Sequence, residues 1–511
     1  MLSSIIVPLI GVIVDVGWIT PFLSFLFLFI VYRVVYALYI SPLRHLPGPF
    51  LARLTGAYSI ILGLTGRLVE IALSDYDKYG DIYVRGPNNV VISNPSDARR
   101  ILGTHSFPKS DHFKAMDVLN EQNSLSGRDI GFVKMRKRQT GQYFNSAYLA
   151  RMEEAILTYG IRAIKENGNG TVEINYGNDF LLATFDTISG LAFGRKFNSL
   201  KNDDYSFCYQ ARDANLFLGI CGVLPLLKYY PFSFGVQRLR TQFGRVMEIA
   251  DGSIKHRRSS VANGEAKPAD LLQAFIDAED PKSKIRMSNV QIQGESFMFT
   301  LAGAAPSALT LTWIMQLLML HPEIRARAVD EVRTQFTGDH LVSFADARKS
   351  LPYIEACVLE AQRLIPVVAT RNPRVTPPSG ITLQNHFIPG GTVISVCPHG
   401  LSKNKGVWKD PFKFDPERFL DNEDARRNFF GFSYGVRTCT GKQLAMMELL
   451  TITSNILKDY DLSLPSDYTH LGPDIKDKNG YPKVMDYIAY MVISPTNVDR
   501  DCRINVSKRS P

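Results

Sequence analysis

The ten residues from Phe432 to Gly441, here called the cysteine loop, constrain this chain of 511 residues more than any other segment. They place Cys439 between two glycines, with Arg437 two residues before the cysteine. Glycine lets the backbone turn tightly and approach a flat ligand, and loop amides can donate hydrogen bonds to a metal-binding sulfur. The arginine can bind an anionic group at the edge of that ligand through two hydrogen bonds. The pattern therefore predicts a thiolate that binds a metal beside a flat ligand.

The cysteine loop resembles the haem-ligand loop of the cytochrome P450 family, the haem-thiolate monooxygenases. Five positions carry the resemblance: Phe432, Gly435, Arg437, Cys439 and Gly441. At about one in twenty per position over roughly 500 starts, a chance match is expected on the order of 10⁻⁴ times per chain. A free cysteine is usually just a buried residue, but the loop around this one argues against that interpretation. The resemblance implies haem b as cofactor, Cys439 as its metal ligand, and the Phe432 ring covering one side of the sulfur.

Composition excludes several other classes of protein. The six cysteines are widely scattered and form no C-x-x-C pair, which removes support for zinc ribbons, thioredoxin-type chemistry and a disulfide framework. Such scatter suits a reducing compartment. The net charge of +9 fits an acidic partner or an anionic membrane surface. Nucleic acid is not expected as a partner, because no dense basic stripe with interleaved aromatic residues is present.

The N-terminal segment predicts a membrane anchor. Residues Val16 to Tyr32 carry no charge, and the apolar run continues past Arg33 to Ile40. This length can cross a bilayer as one helix, and the segment lacks the basic start and cleavage site of a secretory signal peptide. The arginines that follow the span place the rest of the chain in the cytosol by the positive-inside rule. Whether Leu2–Val14 also enters the membrane stays open.

The remaining pattern predicts a predominantly helical α+β body. A stiff, proline-rich hinge at Ser41–Phe50 separates a single-pass anchor, residues 1–40, from a cytosolic haem-thiolate catalytic domain, residues 41–511. The longest helix is predicted from a capping box at Ser288 to Leu320. Other predicted elements are a helix at 351–364, hairpin strands at 81–84 and 90–93, and short strands near 381–388 and 392–397. The resemblance implies the cytochrome P450 fold with small β-sheets, and it implies that the anchor lies in the endoplasmic reticulum membrane.

Glu360 and Arg363 stand three residues apart, on one face of the predicted helix. The spacing alone means little, because Glu423 and Arg426 repeat it and such a pair is usually a solvated salt bridge worth about 0.3–0.5 kcal/mol. The order along the chain is more specific, since Arg418 follows and then the cysteine loop. The resemblance implies that Glu360, Arg363 and Arg418 form a buried three-way ion pair that stabilises the fold behind the haem.

Two basic residues lie where the family binds the haem propionates. Arg374 follows the predicted 351–364 helix, and Lys137 lies in a predicted helix that contacts the haem. The pattern departs from the family at Val133, where an aromatic residue or histidine is expected, and Arg138 competes with Lys137 for the role. A solvated basic face is the alternative interpretation of residues 136–138.

The longest helix carries a further departure. Ala302 and Gly303 match the small residues that leave room for a ligand and dioxygen, but the family's acid and threonine are replaced by Ala305 and Pro306. Proline removes a backbone hydrogen bond and is expected to kink the helix. Proton delivery would then depend on Ser307, on bound water or on a substrate hydroxyl. The alternative is that Ser307 merely bonds to a carbonyl one turn earlier.

The resemblance covers about residues 42–495 and implies a monooxygenase that hydroxylates or otherwise oxidises a hydrophobic small molecule with O2. Electrons would come from NADPH through a membrane-bound cytochrome reductase. The general style resembles fungal members that tailor secondary metabolites such as terpenoids, polyketides or alkaloids. The resemblance implies a substrate pocket built from the loop after Phe107, the Cys208–Pro231 region, Phe297–Ala305 and Val367–Thr370, with a later turn near Met485. The apolar residues Phe107, Phe113, Leu119, Leu301, Val367 and Val368 suit a hydrophobic molecule, although core packing explains each of them equally well.

Two other hypotheses stay open because of Ala305 and Pro306. The first is a reductase-independent haem-thiolate isomerase or dehydratase, or an atypical oxidative ring-forming enzyme. The second is a membrane-tethered haem sensor without turnover. Strict dependence on NADPH and a reductase would favour the monooxygenase over the first, and substrate-dependent oxygen consumption would separate an enzyme from a sensor.

Overall fold

Helices predominate in the computed structural model, which describes residues 20–153, 171–223, 225–229, 231–368 and 371–509. The segment Leu2–Val14 and residue Thr370 lie outside the described residues. The helices, in chain order, are α1 (Thr20–Ile40), α2 (Phe50–Leu54), α3 (Ala57–Leu64), α4 (Leu68–Tyr79), α5 (Pro95–Leu102), α6 (Ile130–Gly141), α7 (Ser146–Leu149), α8 (Tyr176–Phe193), α9 (Ser199–Asn202), α10 (Ser206–Val223), α11 (Gln237–Ala262), α12 (Leu271–Asp277), α13 (Asn289–Leu320), α14 (Pro322–Gln335), α15 (Phe344–Ser350), α16 (Pro352–Leu364), α17 (Pro398–Ser402), α18 (Glu423–Arg427), α19 (Lys442–Asp459) and α20 (Val498–Asp501).

The strands are short and form small sheets. They are β1 (Ile82–Gly86), β2 (Asn89–Ile92), β3 (Thr171–Asn175), β4 (Asn372–Val375), β5 (Ile381–Leu383), β6 (His386–Ile388), β7 (Val393–Val396), β8 (Tyr460–Ser463), β9 (Tyr487–Ala489), β10 (Ile493–Pro495) and β11 (Arg503–Lys508). The largest described sheet has the order β1-β2-β7-β4, and β3, β11 and β8 form a second one. Two hairpins, β5-β6 and β9-β10, complete the described strands.

The strand pairing explains one difference from the sequence prediction. The predicted hairpin is confirmed, because β1 and β2 pair antiparallel, and β7 joins β2 in parallel. The predicted strand near 381–388 is instead a hairpin of β5 and β6. Gln384 and Asn385 have φ angles of 46° and 65°, the positive values that a two-residue hairpin turn requires. A chain reversal there was not evident from the apolar pattern.

Helix α13 runs through the centre of the body and matches the predicted 288–320 helix. The Ser288 side chain accepts a hydrogen bond from the Gln291 N–H at 3.2 Å. The return bond of a capping box is replaced, since Gln291 Nε2 donates to Glu121 at 3.4 Å. Every residue from Thr310 to Leu320 is buried, so this half of α13 is apolar all round because it is a core helix.

The hinge after α1 is packed against the sheet. The Val84 N–H donates to the Pro47 carbonyl at 2.8 Å, and Leu43 and Leu46 are buried. A Cβ on Gly48 would lie 2.4 Å from the Val84 carbonyl oxygen, so only glycine allows this close approach. These contacts therefore fix the position of the segment that joins α1 to the helical body.

Two described helices are long and apolar enough to cross a membrane. Helix α13 is one, but it is mostly buried. Helix α1 is the other, with a mean hydropathy of 2.1 and 6% of its most apolar window buried. Large apolar side chains along it, including Phe25 and Leu28, are exposed. An exposed apolar helix needs a partner or a lipid environment, so α1 is consistent with the predicted anchor.

Candidate active site around Cys439

The cysteine loop folds back on itself and is closed by hydrogen bonds to one carbonyl. The Cys439 N–H donates to the Phe432 carbonyl at 2.9 Å, and the Thr438 hydroxyl donates to the same oxygen at 3.2 Å. The turn is tight, because Ser433 and Gly435 have φ angles of 61° and 66°. Local geometry thus holds the phenylalanine backbone beside the cysteine.

The two glycines of the cysteine loop have different surroundings. A Cβ on Gly435 would lie 2.5 Å from both the Leu102 carbonyl oxygen and the Gly103 Cα. Because these are backbone atoms at the end of α5, they cannot move aside. A Cβ on Gly441 would meet only the Cys439 sulfur, at 4.0 Å. Gly435 therefore serves packing, whereas the space next to Gly441 contains little besides the thiol.

Cys439 differs from the other five cysteines in its exposure. It has accessible surface, whereas they are all buried. Protein nevertheless surrounds its thiol, and burial is the largest influence, raising the pKa. A hydrogen bond from the Gly441 N–H and the positive charge of Lys442 act against burial and lower this pKa. A thiol with accessible surface can be reached by a metal-bearing ligand.

Three cations converge close to the cysteine loop. Arg374 is buried, and burial, followed by the charge of Arg437, lowers its pKa to about 10. Burial, followed by Arg374 and Arg437, also lowers the pKa of Lys109 well below its usual value. Among the described residues, no carboxylate contributes to the pKa of any of the three. Such a cluster is unfavourable unless an anionic ligand neutralises it, and the two propionates of haem fit that need.

Lys109 was not identified from the sequence. It reaches this cluster through a β-bridge between Lys109 and Arg374, residues distant in the chain. Its Nζ lies 4.3 Å from the centroid of the Phe113 ring and donates to the Leu125 carbonyl. A lone lysine in a polar loop gives no sequence signal of burial, so only the folded contact reveals it.

The structure separates the candidates in the basic run 136–138. Arg138 donates to both carboxylate oxygens of Asp280, at 2.6 and 2.8 Å, and is therefore engaged elsewhere. Arg136 is buried against Glu295, with 3.2 Å between Nε and Oε1, so the run as a whole is not a solvated face. Lys137 is exposed. Burial has the largest effect on the pKa of His105 and lowers it, and the charges of Lys134, Arg437 and Lys137 lower it further, in that order. Lys137 thus remains the candidate for contact with a propionate.

Helix α13 presents Ala302, but not Gly303, to open space. Ala302 is exposed although α13 is otherwise largely buried. A Cβ on Gly303 would lie 3.0 Å from Ile188 of α8, so this glycine permits close packing of two helices. The expectation that Gly303 leaves room for a ligand is corrected accordingly.

The helix continues through Pro306 as one element. Since proline has no N–H, the carbonyl of Ala302 lacks its usual donor within the helix. The Thr310 hydroxyl donates to the Pro306 carbonyl at 2.7 Å. Thr300 and Thr312 donate in the same way to carbonyls one turn earlier. Ser307 makes no such bond to Gly303 among the described contacts, so its hydroxyl is not held by its own helix.

Glu360, Arg363 and Arg418 come together in a buried network. Arg363 donates from Nε to Glu360 Oε2 at 2.6 Å and from Nη2 to Oε1 at 2.8 Å. Arg418 Nε donates to Oε1 at 3.3 Å. Arg363 also donates to three carbonyls of the chain that leads towards the cysteine loop, those of Ser402, Pro411 and Lys413. The network therefore ties α16 to that segment.

The expected pocket residues divide into two groups. Phe107 and Met485 are buried, and Met485 Sδ lies 3.8 Å from the Cys502 sulfur, so both belong to the core. Val368 and Leu119 are 42% and 40% exposed. Val368 forms a β-bridge to the turn between β9 and β10, where Met491 is also exposed. This turn follows Met485 closely in the chain, and the expected contribution of a turn near Met485 to the pocket stays a prediction.

Comparisons with known proteins agree with the fold. The family model for cytochrome P450 matches residues 71–480. Two monooxygenases of Aspergillus fumigatus are similar to this chain: cytochrome P450 monooxygenase helB1, 40% identical over 487 residues, and helB2, 41% identical over 490 residues. Those alignments cover 94% and 93% of this chain and 84% and 96% of the relatives.

A solved structure supports the architecture independently. The crystal structure of cytochrome P450DA heme domain superposes with a TM-score of 0.71 at 20% identity, covering 87% of this chain and 93% of that chain. The fold and the accessible thiol of Cys439 agree with a haem-thiolate oxidoreductase. With the family match and the curated relatives, the chain belongs to the cytochrome P450 family, as the sequence predicts, and it is a monooxygenase by class.

Proposed function

We propose that this chain is a membrane-anchored monooxygenase that oxidises a hydrophobic small molecule, a secondary metabolite such as a terpenoid, polyketide or alkaloid. Residues 1–40 are its single-pass anchor in the endoplasmic reticulum membrane, and residues 41–511 are its cytosolic catalytic domain. Haem b, when bound, supplies the redox chemistry that activates O2. The exposed apolar surface of α1 supports the anchor, and relatives named as fungal monooxygenases support the chemistry.

One observation carries the haem assignment. An accessible thiol, Cys439, follows by two residues Arg437, a member of a cluster of cations that no described carboxylate neutralises. A ligand with one metal and two carboxylates satisfies both needs at once. We therefore assign Cys439 as the metal ligand and Arg374, Arg437, Lys109 and Lys137 as the groups that hold the propionates.

The accessible apolar surface supports a hydrophobic substrate. Ala302, Leu119, Val368 and Met491 are exposed, and burying such surface favours an apolar ligand. Asn215 of α10 reaches the Met491 sulfur at 3.9 Å, so α10 and the β9–β10 turn lie together on this side. We therefore propose that these elements contact an apolar substrate.

Electrons are proposed to come from NADPH through a membrane-bound cytochrome reductase. Lys442 is exposed at the start of α19, directly after the cysteine loop, and the chain has a net charge of +9. An acidic reductase surface would be attracted to such a face. Lys442→Glu should then lower the rate of reduction at low salt, with the difference decreasing as salt is added.

The test of this function is a reconstituted reaction with purified reductase, NADPH and an extract of the host's secondary metabolites. We expect substrate-dependent oxygen consumption and a product one oxygen atom heavier. Turnover that persists without NADPH and reductase would instead support the isomerase, dehydratase or ring-forming alternative. This alternative stays open because Ala305 and Pro306 replace the acid and threonine of the family pattern. Haem binding without any turnover would support a sensor.

A further inference from the structure

The ammonium of Lys109 is held in place by one loop carbonyl. Its backbone is fixed beside the other cations, because Lys109 forms a β-bridge with Arg374. A lysine side chain is a flexible stem of four carbons, so its nitrogen needs a contact of its own to stay in one position. Among the described residues, its hydrogen bond goes to the Leu125 carbonyl. An ammonium has three donors, so Lys109 can also bind a propionate, and the position of Leu125 decides where it points.

Leu125 belongs to a turn, residues 123–127, that is stiffened by its own hydrogen bonds. The Asn123 side chain accepts from the N–H groups of Leu125 and Ser126, at 3.0 and 2.9 Å. It also donates to the Met116 carbonyl at 2.7 Å, and Asn123 is buried. These bonds couple the residues of the turn to one another, so a contact at one of them also fixes the Leu125 carbonyl.

Glu295 of α13 holds this turn. The Ser124 N–H donates to both oxygens of the carboxylate, at 2.9 and 3.2 Å, and Glu295 is fully buried. Hydrogen bonds to an ionised acceptor are stronger than those between neutral groups. Val118, which precedes the turn, packs on the same part of α13, since a Cβ on Gly294 would lie 3.4 Å from the Val118 Cβ. The turn is therefore seated on α13 by a charged acceptor and by an apolar contact.

Arg136 of α6 favours the ionised form of this buried carboxyl. Its Nε lies 3.2 Å from Glu295 Oε1, and Arg136 is 2% exposed. Burial is the largest influence on both groups, raising the pKa of Glu295 and lowering that of Arg136, and the charge of each partner opposes that shift. The pair thus maintains Glu295 as an acceptor for the Ser124 N–H.

We infer that Glu295 is a positioning residue for haem binding, which fixes the Lys109 ammonium through the turn at residues 123–127. The contacts run from Glu295 to the Ser124 N–H, and from the Leu125 carbonyl to Lys109. Glu295 acts through these groups and binds neither haem nor substrate. The inference rests on the proposed haem site.

Two variants of Glu295 separate its hydrogen bond from its charge. Glu295→Gln and Glu295→Leu both leave Arg136 unpaired, but only glutamine keeps an oxygen that can accept from the Ser124 N–H. Haem transfer to apomyoglobin should therefore be about tenfold faster in Glu295→Leu than in Glu295→Gln, the lower end of the effect of residues that support a metal site. Equal rates in the two variants would overturn the inference.

Lys109→Met tests whether the effect passes through the lysine. A methionine at this position cannot bond to the Leu125 carbonyl or to a propionate. In this background, Glu295→Leu and Glu295→Gln should release haem at rates that agree within about twofold, the usual limit of additivity. A difference between them as large as in the presence of Lys109 would show that Glu295 acts by another route and would refute the inference.

Two further readouts are made on the folded, haem-loaded protein. The propionate bending modes in the resonance Raman spectrum should shift in Glu295→Leu and in Lys109→Met, and should stay near the wild-type position in Glu295→Gln. Hydrogen exchange of the Ser124 amide should be at least about tenfold faster in Glu295→Leu than in Glu295→Gln, because the amide has lost its acceptor. Unshifted Raman bands, or equal exchange of this amide, would contradict the inference.

Asp270 supplies a matched control. It is buried, pairs with Arg257 and accepts the Gln273 N–H at 2.8 Å, so it has the same two kinds of partner as Glu295. Its partners lie on α11 and α12, which carry none of the residues assigned to haem. Asp270→Leu should lower the urea midpoint but leave the Raman bands unchanged and release haem as slowly as Asp270→Asn. The same haem loss in Asp270→Leu as in Glu295→Leu would reduce Glu295 to a role in general stability.

If Glu295→Leu does not fold, the comparison is made without the buried cation. Replacing both members of a buried ion pair by apolar residues is often neutral, so Arg136→Met is combined with Glu295→Leu and with Glu295→Gln, and the same difference in haem transfer is expected. A wild type without haem would mean that the proposed haem site has failed, and the inference with it. Thiolate-bound haem that both combined variants release at the same rate would overturn the inference alone.

Discussion

Removing the Arg363 side chain should be the most destabilising single change behind the active site. The guanidinium makes two bonds to Glu360, at 2.6 and 2.8 Å, and three to carbonyls, at 2.8 to 3.1 Å. In Arg363→Ala the buried carboxylate keeps only Arg418 at 3.3 Å and the Asp415 N–H at 3.0 Å. Breaking a buried ion pair by deleting one partner costs about 3–5 kcal/mol. That lowers the ratio of folded to unfolded protein by a factor of about 160 to 5,000.

The assay is urea unfolding followed by haem absorbance and by far-UV circular dichroism. Because a bound cofactor can make unfolding deviate from two states, both probes are needed, together with the haem-to-protein ratio after purification. Arg363→Lys should recover only part of the loss, since an ammonium cannot reproduce the planar fork that engages both carboxylate oxygens.

The chain supplies a matched control in Arg426, which has a glutamate three residues earlier, as Arg363 does. Arg426 is exposed on α18 and lies 3.5 Å from Glu355. Arg426→Ala should therefore cost about 0–1 kcal/mol. A fully haem-loaded Arg363→Ala protein that unfolds at the same urea concentration as Arg426→Ala would refute the reasoning.

Three further changes have defined outcomes. Arg374→Gln removes one buried cation from an unneutralised cluster and should weaken haem retention by about 10- to 100-fold, as expected for hydrogen bonds to a charged group. Haem transfer to apomyoglobin measures this retention, and an unchanged value would contradict a propionate contact. Gly435→Ala places a Cβ 2.5 Å from backbone atoms at a φ of 66° and should cost at least about 1–3 kcal/mol in urea unfolding, whereas a neutral effect would show that the cysteine loop is not held against α5. The full-length protein should resist extraction from membranes by alkaline carbonate, whereas a variant without residues 1–40 should be extracted. Continued resistance of that variant would argue against α1 as the anchor.

The elements that could be predicted from the sequence are those with local causes. Helix α13 followed from a serine cap and an uninterrupted apolar run, and the β1–β2 hairpin followed from alternation on both sides of a turn. The cysteine loop followed from fixed spacings within ten residues. Even the ion-pair network, which joins distant segments, was predictable because the order of its members resembles a family pattern.

What the sequence did not reveal depends on contacts between distant segments. Lys109 reaches Arg374 only because two segments form a β-bridge, and Gly303 is small because Ile188 packs against it. In each case the neighbours, and not the residue itself, determine the role, and the amino-acid sequence does not specify neighbours directly.

The measurement that tests the central claim most directly is the absorption spectrum of the reduced, carbon-monoxide-bound protein, compared with that of Cys439→Ala. Coordination by the Cys439 thiolate predicts a strongly red-shifted Soret band in the wild type and its loss in the variant. A purified wild type without porphyrin, a spectrum typical of a nitrogen ligand, or a red-shifted band that survives in Cys439→Ala would each contradict the account.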